Sequence, residues 1–175
     1  MATYYSNIYG VPIRPQERGS GGVVTVAGCL TIPTGKVIAT GDVLKLFKVA
    51  SGGHVRSLWV QNTDFGTDAP GTLGHFGVDD GVAIDADSIA ADVVLETAAD
   101  RCFENLATAV QTSGTAFQAP FATLTEDASF EIVVGTVVAG AAGSIRFAVD
   151  VVFFGTNSEY AYTWNGNAAV GAVST

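Results

Sequence analysis

The chain reads as an all-β protein: an antiparallel β-sandwich, jelly-roll-like, with an extended N-terminal arm. Three observations predict this. First, two late segments alternate with period two. Phe130, Ile132 and Val134 share one side of 130–137, and Ile145, Phe147, Val149, Val151 and Phe153 share one side of 145–153, with Arg146 and Asp150 opposite. Successive side chains of a strand point to opposite faces, so each pattern assigns one face to a core and one to water. Second, short β-branched segments recur between Gly-, Asp- and Pro-bearing turns, the spacing of a sandwich or barrel. Third, apolar residues make up 48% and charged residues 14% of 175 residues that include 21 glycines. That composition describes a folded body with small-residue loops, not a solvated disordered chain.

Each element follows in order. Residues 1–21 carry Tyr4, Tyr5, Ile8, Tyr9, Val11 and Ile13 without a helical or strand period, then Pro12, Pro15, Arg14, Arg18 and a Gly-Ser run. Residues before proline are pushed to extended conformations, and Gly-Ser runs are flexible joints. This predicts an arm (1–21) whose aromatic residues and Arg14 and Arg18 dock on a partner. The body spans 22–155. Val23-Val24-Thr25-Val26-Ala27 is a strand. Residues 43–49 follow the turn Thr40-Gly41-Asp42 and connect through Ser51-Gly52-Gly53 to 54–61, which reads as a hairpin. Residues 72–78 and Val82-Ala83-Ile84 continue the series. Residues 89–106 fit a short helix capped by Asp87-Ser88 or an irregular strand. The two final strands, joined by Ala139-Gly140-Ala141-Ala142-Gly143, read as a second hairpin. About eight strands in one domain fit a jelly roll. The last segment, 156–175, alternates Tyr160, Tyr162 and Trp164 before Asn165-Gly166. It reads either as an edge hairpin for subunit contact or as packing against the body.

Charge narrows the function. A net charge of −9 opposes direct binding to nucleic acid, whose affinity rests on Lys and Arg against phosphate, and to anionic membranes. The N-terminal residues lack the basic and apolar regions of a secretion signal, and no apolar run is long enough to span a bilayer. Synthesis in a cytosol is therefore expected, with Cys29 and Cys102 as reduced, buried thiols. No chemistry-bearing motif is legible. Between Arg56 and Arg101 there is no Lys or Arg, and Asp79, Asp80, Asp85 and Asp87 crowd together. Such carboxylates are weak candidates for Ca²⁺, because their order misses the EF-hand spacing; solvated β-turns account for them as well. His54 and His75 are too few for a zinc site. The sequence predicts no enzyme, no cofactor and no resident metal.

The ordered set Ile32-Pro33-Thr34-Gly35, Gly41-Asp42-Val43-Leu44-Lys45-Leu46-Phe47, Ser51-Gly52-Gly53-His54-Val55, Val60-Gln61-Asn62-Thr63-Asp64-Phe65-Gly66-Thr67, Leu73-Gly74-His75-Phe76-Gly77-Val78, an acid-led strand over 127–137, and Gly140-Ala141-Ala142-Gly143-Ser144-Ile145 resembles the capsid decoration, or cement, proteins of tailed bacteriophages. The resemblance covers roughly residues 30–155. It implies a protein of the virion's outer capsid surface, a homotrimer that fastens major capsid protein subunits together. The acidic body agrees with an exterior position. Two alternatives stay open: another virion part, such as a tail or head-fibre base, and a carbohydrate-binding sandwich using Trp59, Tyr160 and Trp164.

Overall fold

The computed structural model describes residues 1–14, 22–78, 81–104, 124 and 127–153. Arg18, Asp79, Asp80, Tyr160, Tyr162, Trp164 and the whole expected segment 156–175 lie outside these residues. The described residues form eleven strands and no helix: β1 (Thr3–Tyr5), β2 (Gly22–Thr31), β3 (Val43–Val49), β4 (Gly53–Asn62), β5 (Gly66–Thr67), β6 (Pro70–Gly77), β7 (Ala83–Val94), β8 (Ala99–Glu104), β9 (Ala128–Val134), β10 (Ala139–Gly140) and β11 (Ser144–Phe153). The helical option for 89–106 is thus replaced by the end of β7 and by β8. There Val93 and Leu95 are buried at strand spacing.

The strands build two sheets, in the orders β1-β3-β9-β6-β7 and β2-β11-β4-β8, with a short ribbon of β5 and β10 at one end. Pairing is antiparallel except where β1, and further on Ile13, run parallel to β3. The inner faces meet in one core. Leu44, Phe47, Val49, Leu73, Phe130 and Ile132 come from the first sheet; Leu30, Leu58, Val60, Ile145, Phe147 and Val149 come from the second. The predicted apolar sides of 130–134 and 145–153 are these faces, each residue at most 5% exposed. The result is an all-β sandwich, compatible with a jelly roll.

Two expected hairpins are not hairpins. β3 and β4 lie in opposite sheets, and so do β9 and β11. Alternation tells which face of a strand is buried, but not which strand lies beside it. Both edges of β3 are already taken, by the N-terminal segment and by β9. The connection therefore crosses the sandwich. Gly52 turns with φ +80°, and Gly53 lies against Val49 and Phe153, where a side chain would collide. The second crossing, 135–143, is held at the end of the sandwich. Val138 N–H donates to Thr67 O (3.2 Å) and Ala141 N–H to Phe65 O (2.7 Å), while Ala139 and Gly140 pair with Thr67 and Gly66.

β7 is an edge strand with a large bulge. Its pairing with β6 jumps from Leu73↔Ala90 to His75↔Asp85, so residues 86–89 oppose only Gly74. The bulged backbone lies directly on Gly74, where any Cβ would strike the Asp85 and Ala86 carbonyls. Bulges on edge strands bend the edge away from further pairing.

Candidate interaction surface

Residues 1–14 do not extend away from the body. β1 adds to the edge of β3, Ser6 N–H donates to Lys45 O (3.0 Å), and Ile13 N–H donates to Lys48 O (2.8 Å). The Ser6 hydroxyl bonds to Leu46 O. At the start, the buried Asp42 carboxylate accepts from the Ala2 and Ala39 amides and lies 4.0 Å from the terminal ammonium. Asn7 reaches the other sheet: its N–H donates to Cys29 O (3.0 Å) and its Oδ1 accepts from Cys29 N–H (2.8 Å). The segment therefore staples the first sheet's edge to that of β2. The sequence predicts an extended arm that docks on a partner; the described part, 1–14, instead lies on this chain's own β3, whose available edge the sequence cannot show. Of the expected contact residues, Tyr9 and Ile13 are buried, Tyr4 and Ile8 are half-buried against the core, and Tyr5 and Arg14 face solvent together with Val11.

Tyr9 closes a polar network on the outer face of the first sheet. Its hydroxyl meets Ser129 Oγ at 2.9 Å; Ser129 Oγ donates to Glu131 Oε1 at 2.5 Å, and Lys45 Nζ donates to the same oxygen at 2.7 Å. The Lys48 ammonium lies 4.5 Å from the Tyr9 ring centre and that of Lys45 5.6 Å, both within cation–π range. Burial alone would lower the Lys45 pKa; the hydrogen bond and charge of Glu131, with a smaller part from Tyr9, outweigh it and raise the pKa above the usual value. Alternation predicted that this face of β9 is wet. It is not: Ser129 and Glu131 are buried, beneath Tyr9 on one side and the β7 bulge over Gly74 on the other.

Of the candidate acids, Asp87 falls within the bulged stretch of β7 and Asp85 borders it, paired with His75. Burial, then a hydrogen bond from Asp87, raises the Asp85 pKa. Among the described residues, no three His, Cys, Asp or Glu side chains are grouped to hold a metal. His75 is buried; its Nδ1 meets Ser88 Oγ at 2.8 Å and its ring stacks on Phe130. Burial holds its pKa below the usual value. The cysteines are in no disulfide, but Cys102 is exposed and Cys29 half-exposed. This corrects the expectation of burial: both project from the outer face of the second sheet.

Among the described residues, no segment roofs that outer face as Tyr9 and the β7 bulge roof its counterpart. Its cross-strand rows follow from the register. One row holds Thr25, Asp150 and Ser57, in which both hydroxyls donate to the Asp150 carboxylate (2.6 and 2.8 Å) and hold its pKa low. The next holds Ala27, Ala148, Trp59 and Cys102. The third holds Cys29, Arg146, Gln61 and Asp100. Sequence reasoning found Trp59 and the outward Arg146 but could not bring Gln61 and Asp100 beside Arg146, because that needs the register of β11, β4 and β8.

No protein-family model and no characterised sequence matches the chain. Among solved structures, it is similar to a chain in the capsid of Ralstonia phage GP4, at 16% identity and a TM-score of 0.61, over 86% of this chain and 97% of that one. A chain from the Cyanophage Pam1 capsid asymmetric unit aligns at 19% identity and a TM-score of 0.46, over 82% and 94%.

Two predictions test the buried polar groups. Lys45→Met leaves the Glu131 carboxylate buried without its cation, and should cost about 3 kcal/mol in urea unfolding, the low end for a buried pair because Lys45 itself is partly exposed. Adding Glu131→Leu should recover most of that loss. A single variant within about 0.5 kcal/mol of the parent, the scatter of ordinary surface changes, contradicts the pairing. For His75, the unfolded chain takes up a proton as pH falls below about 6.5, while the folded protein resists it. Stability should therefore be full above that pH and decline below it. His75→Gln should flatten the decline; an unchanged slope in the variant removes His75 as its source.

On its own evidence of geometry, the GP4 likeness is one of fold: this sandwich has the architecture of a chain found in a phage capsid.

Proposed function

We propose that the protein is a structural, non-enzymatic component of a phage virion: a cement protein on the outer surface of the head that fastens neighbouring major capsid subunits. The observation that carries this reading is the likeness of fold to a chain of the GP4 capsid, which spans nearly all of that chain. The net charge of −9 supports the reading, since an acidic body is repelled by packaged nucleic acid and suits the particle's exterior. A homotrimer is the assembly that fits best, because weak single contacts gain strength when linked copies bind together.

In this reading the N-terminal segment works as a fixed ridge. Tyr9 and Ile13 anchor it, and Tyr5, Val11 and Arg14 face outward to meet the capsid. Ordering these residues beforehand reduces the entropy lost on binding.

The test adds purified protein to bare expanded capsids of its phage. Discrete occupancy on the outer surface by electron microscopy, with raised heat resistance, is expected. The triple variant Tyr5→Ala, Val11→Ser, Arg14→Ala keeps the anchors and should bind at least about tenfold more weakly, a loss of about 1.4 kcal/mol. Density confined to the tail, or no binding, overturns the cement role; equal binding by the triple variant overturns the ridge.

A further inference from the structure

We propose that the outer face of the second sheet carries a binding site for a neutral oligosaccharide, with Trp59 as its platform. The site begins in the strand register. β11, β4 and β8 bring Arg146, Gln61 and Asp100 into one row, and adjacent strands lie about 4.8 Å apart, so the row spans about 10 Å. The row lines an open groove of about 450 Å³ together with Thr63 and Ser144, and Trp59 stands one row outside it on the same face. That volume lies within the range of ligand clefts, about 300–1,000 Å³.

The polar groups of the row are uncommitted. Among the described residues, the side chains of Gln61, Asp100 and Arg146 make no hydrogen bond or ion pair within the chain. The contrast with the same face two rows away is direct, since there Asp150 is saturated by Thr25 and Ser57. Guanidinium, amide and carboxylate together offer several donors and acceptors at fixed spacing, the complement of neighbouring hydroxyls, each of which both donates and accepts.

Trp59 supplies the apolar half. It lies two residues before Gln61 on β4, hence on the same face, and its pairing partners are Ala148 and Cys102. Small neighbours leave the indole half-exposed. An aromatic face carries negative charge density and attracts the weakly positive C–H groups of a sugar ring, while the ring's hydroxyls point sideways into polar groups. A row of polar groups beside such a platform is that arrangement.

The charge balance selects a neutral ligand. One guanidinium and one carboxylate cancel within the row, and two rows away the charge of Asp150 is offset by Arg56. An anionic ligand would meet a chain already at −9.

The experiment uses the full chain and a panel of neutral trisaccharides built from glucose, mannose, galactose and N-acetylglucosamine, each with a sulfated counterpart, followed by ¹H–¹⁵N spectra. At least one neutral trisaccharide at millimolar concentration should shift the Trp59 indole resonance and the Gln61 and Arg146 amides. Trp59→Ala should weaken that binding at least tenfold. Arg146→Gln, a change at an exposed position that leaves the core intact, should do so independently. The proposal is overturned if no neutral trisaccharide moves these resonances, if both variants bind as the parent does, or if a sulfated counterpart binds better than its neutral parent. The capsid test above is read separately, so either result stands without the other.

Discussion

Three phenylalanines at the centre of the sandwich hold the rest in place. Phe47 on β3 stacks on Phe130 of β9, with centroids 4.8 Å apart, and reaches across to Phe147 of β11 at 5.6 Å. All three are at most 1% exposed. Aromatic pairs of this kind are each worth about 0.5–1.5 kcal/mol beyond their burial, and truncating one such ring costs about 3–5 kcal/mol. Phe147 also depends on a gap: a Cβ at Gly28 on β2 would strike its ring. The contact thus fixes the spacing of the sheets, which strands face one another, and the register that sets every outer-face row.

The two outer faces then take opposite roles. That of the first sheet is roofed by Tyr9 and by the bulge of β7, and its buried Glu131 is paired with the half-buried Lys45. That of the second sheet is covered by none of the described residues, with Trp59 and the Arg146–Gln61–Asp100 row outward. Edges are managed in the same way. The N-terminal segment occupies the outer edge of β3 and, through Asn7, part of that of β2. Among the described residues, the uncovered surfaces are therefore the ridge of residues 1–14 and the outer face of the second sheet.

How much of this was legible in the sequence depends on the range of the interaction. The inward residues of β9 and β11 could be read from alternation alone, because the face of a strand is a local property. Strand partnership is not local. Ser51-Gly52-Gly53 makes an equally good turn within a sheet or across a sandwich, and only the occupied edges of β3 decide. The outer face of β9 was misjudged for the same reason: Glu131 reads as solvated until Tyr9, more than a hundred residues earlier, is placed above it. The bulge of β7 left a trace in Gly74, yet nothing local says which backbone presses on that glycine. Trp59 was legible only as an aromatic able to stack on a sugar; its outward position and its polar row needed the register of β4, β8 and β11.

The partition of strands between the sheets is the claim on which the core and both outer faces rest. Cross-strand backbone nuclear Overhauser effects measure it directly. The account predicts contacts of Phe147 with Gly28 and Val60, and of Ile132 with Leu44 and Leu73. A ladder of contacts joining β9 to β11, or β3 to β4, would contradict it.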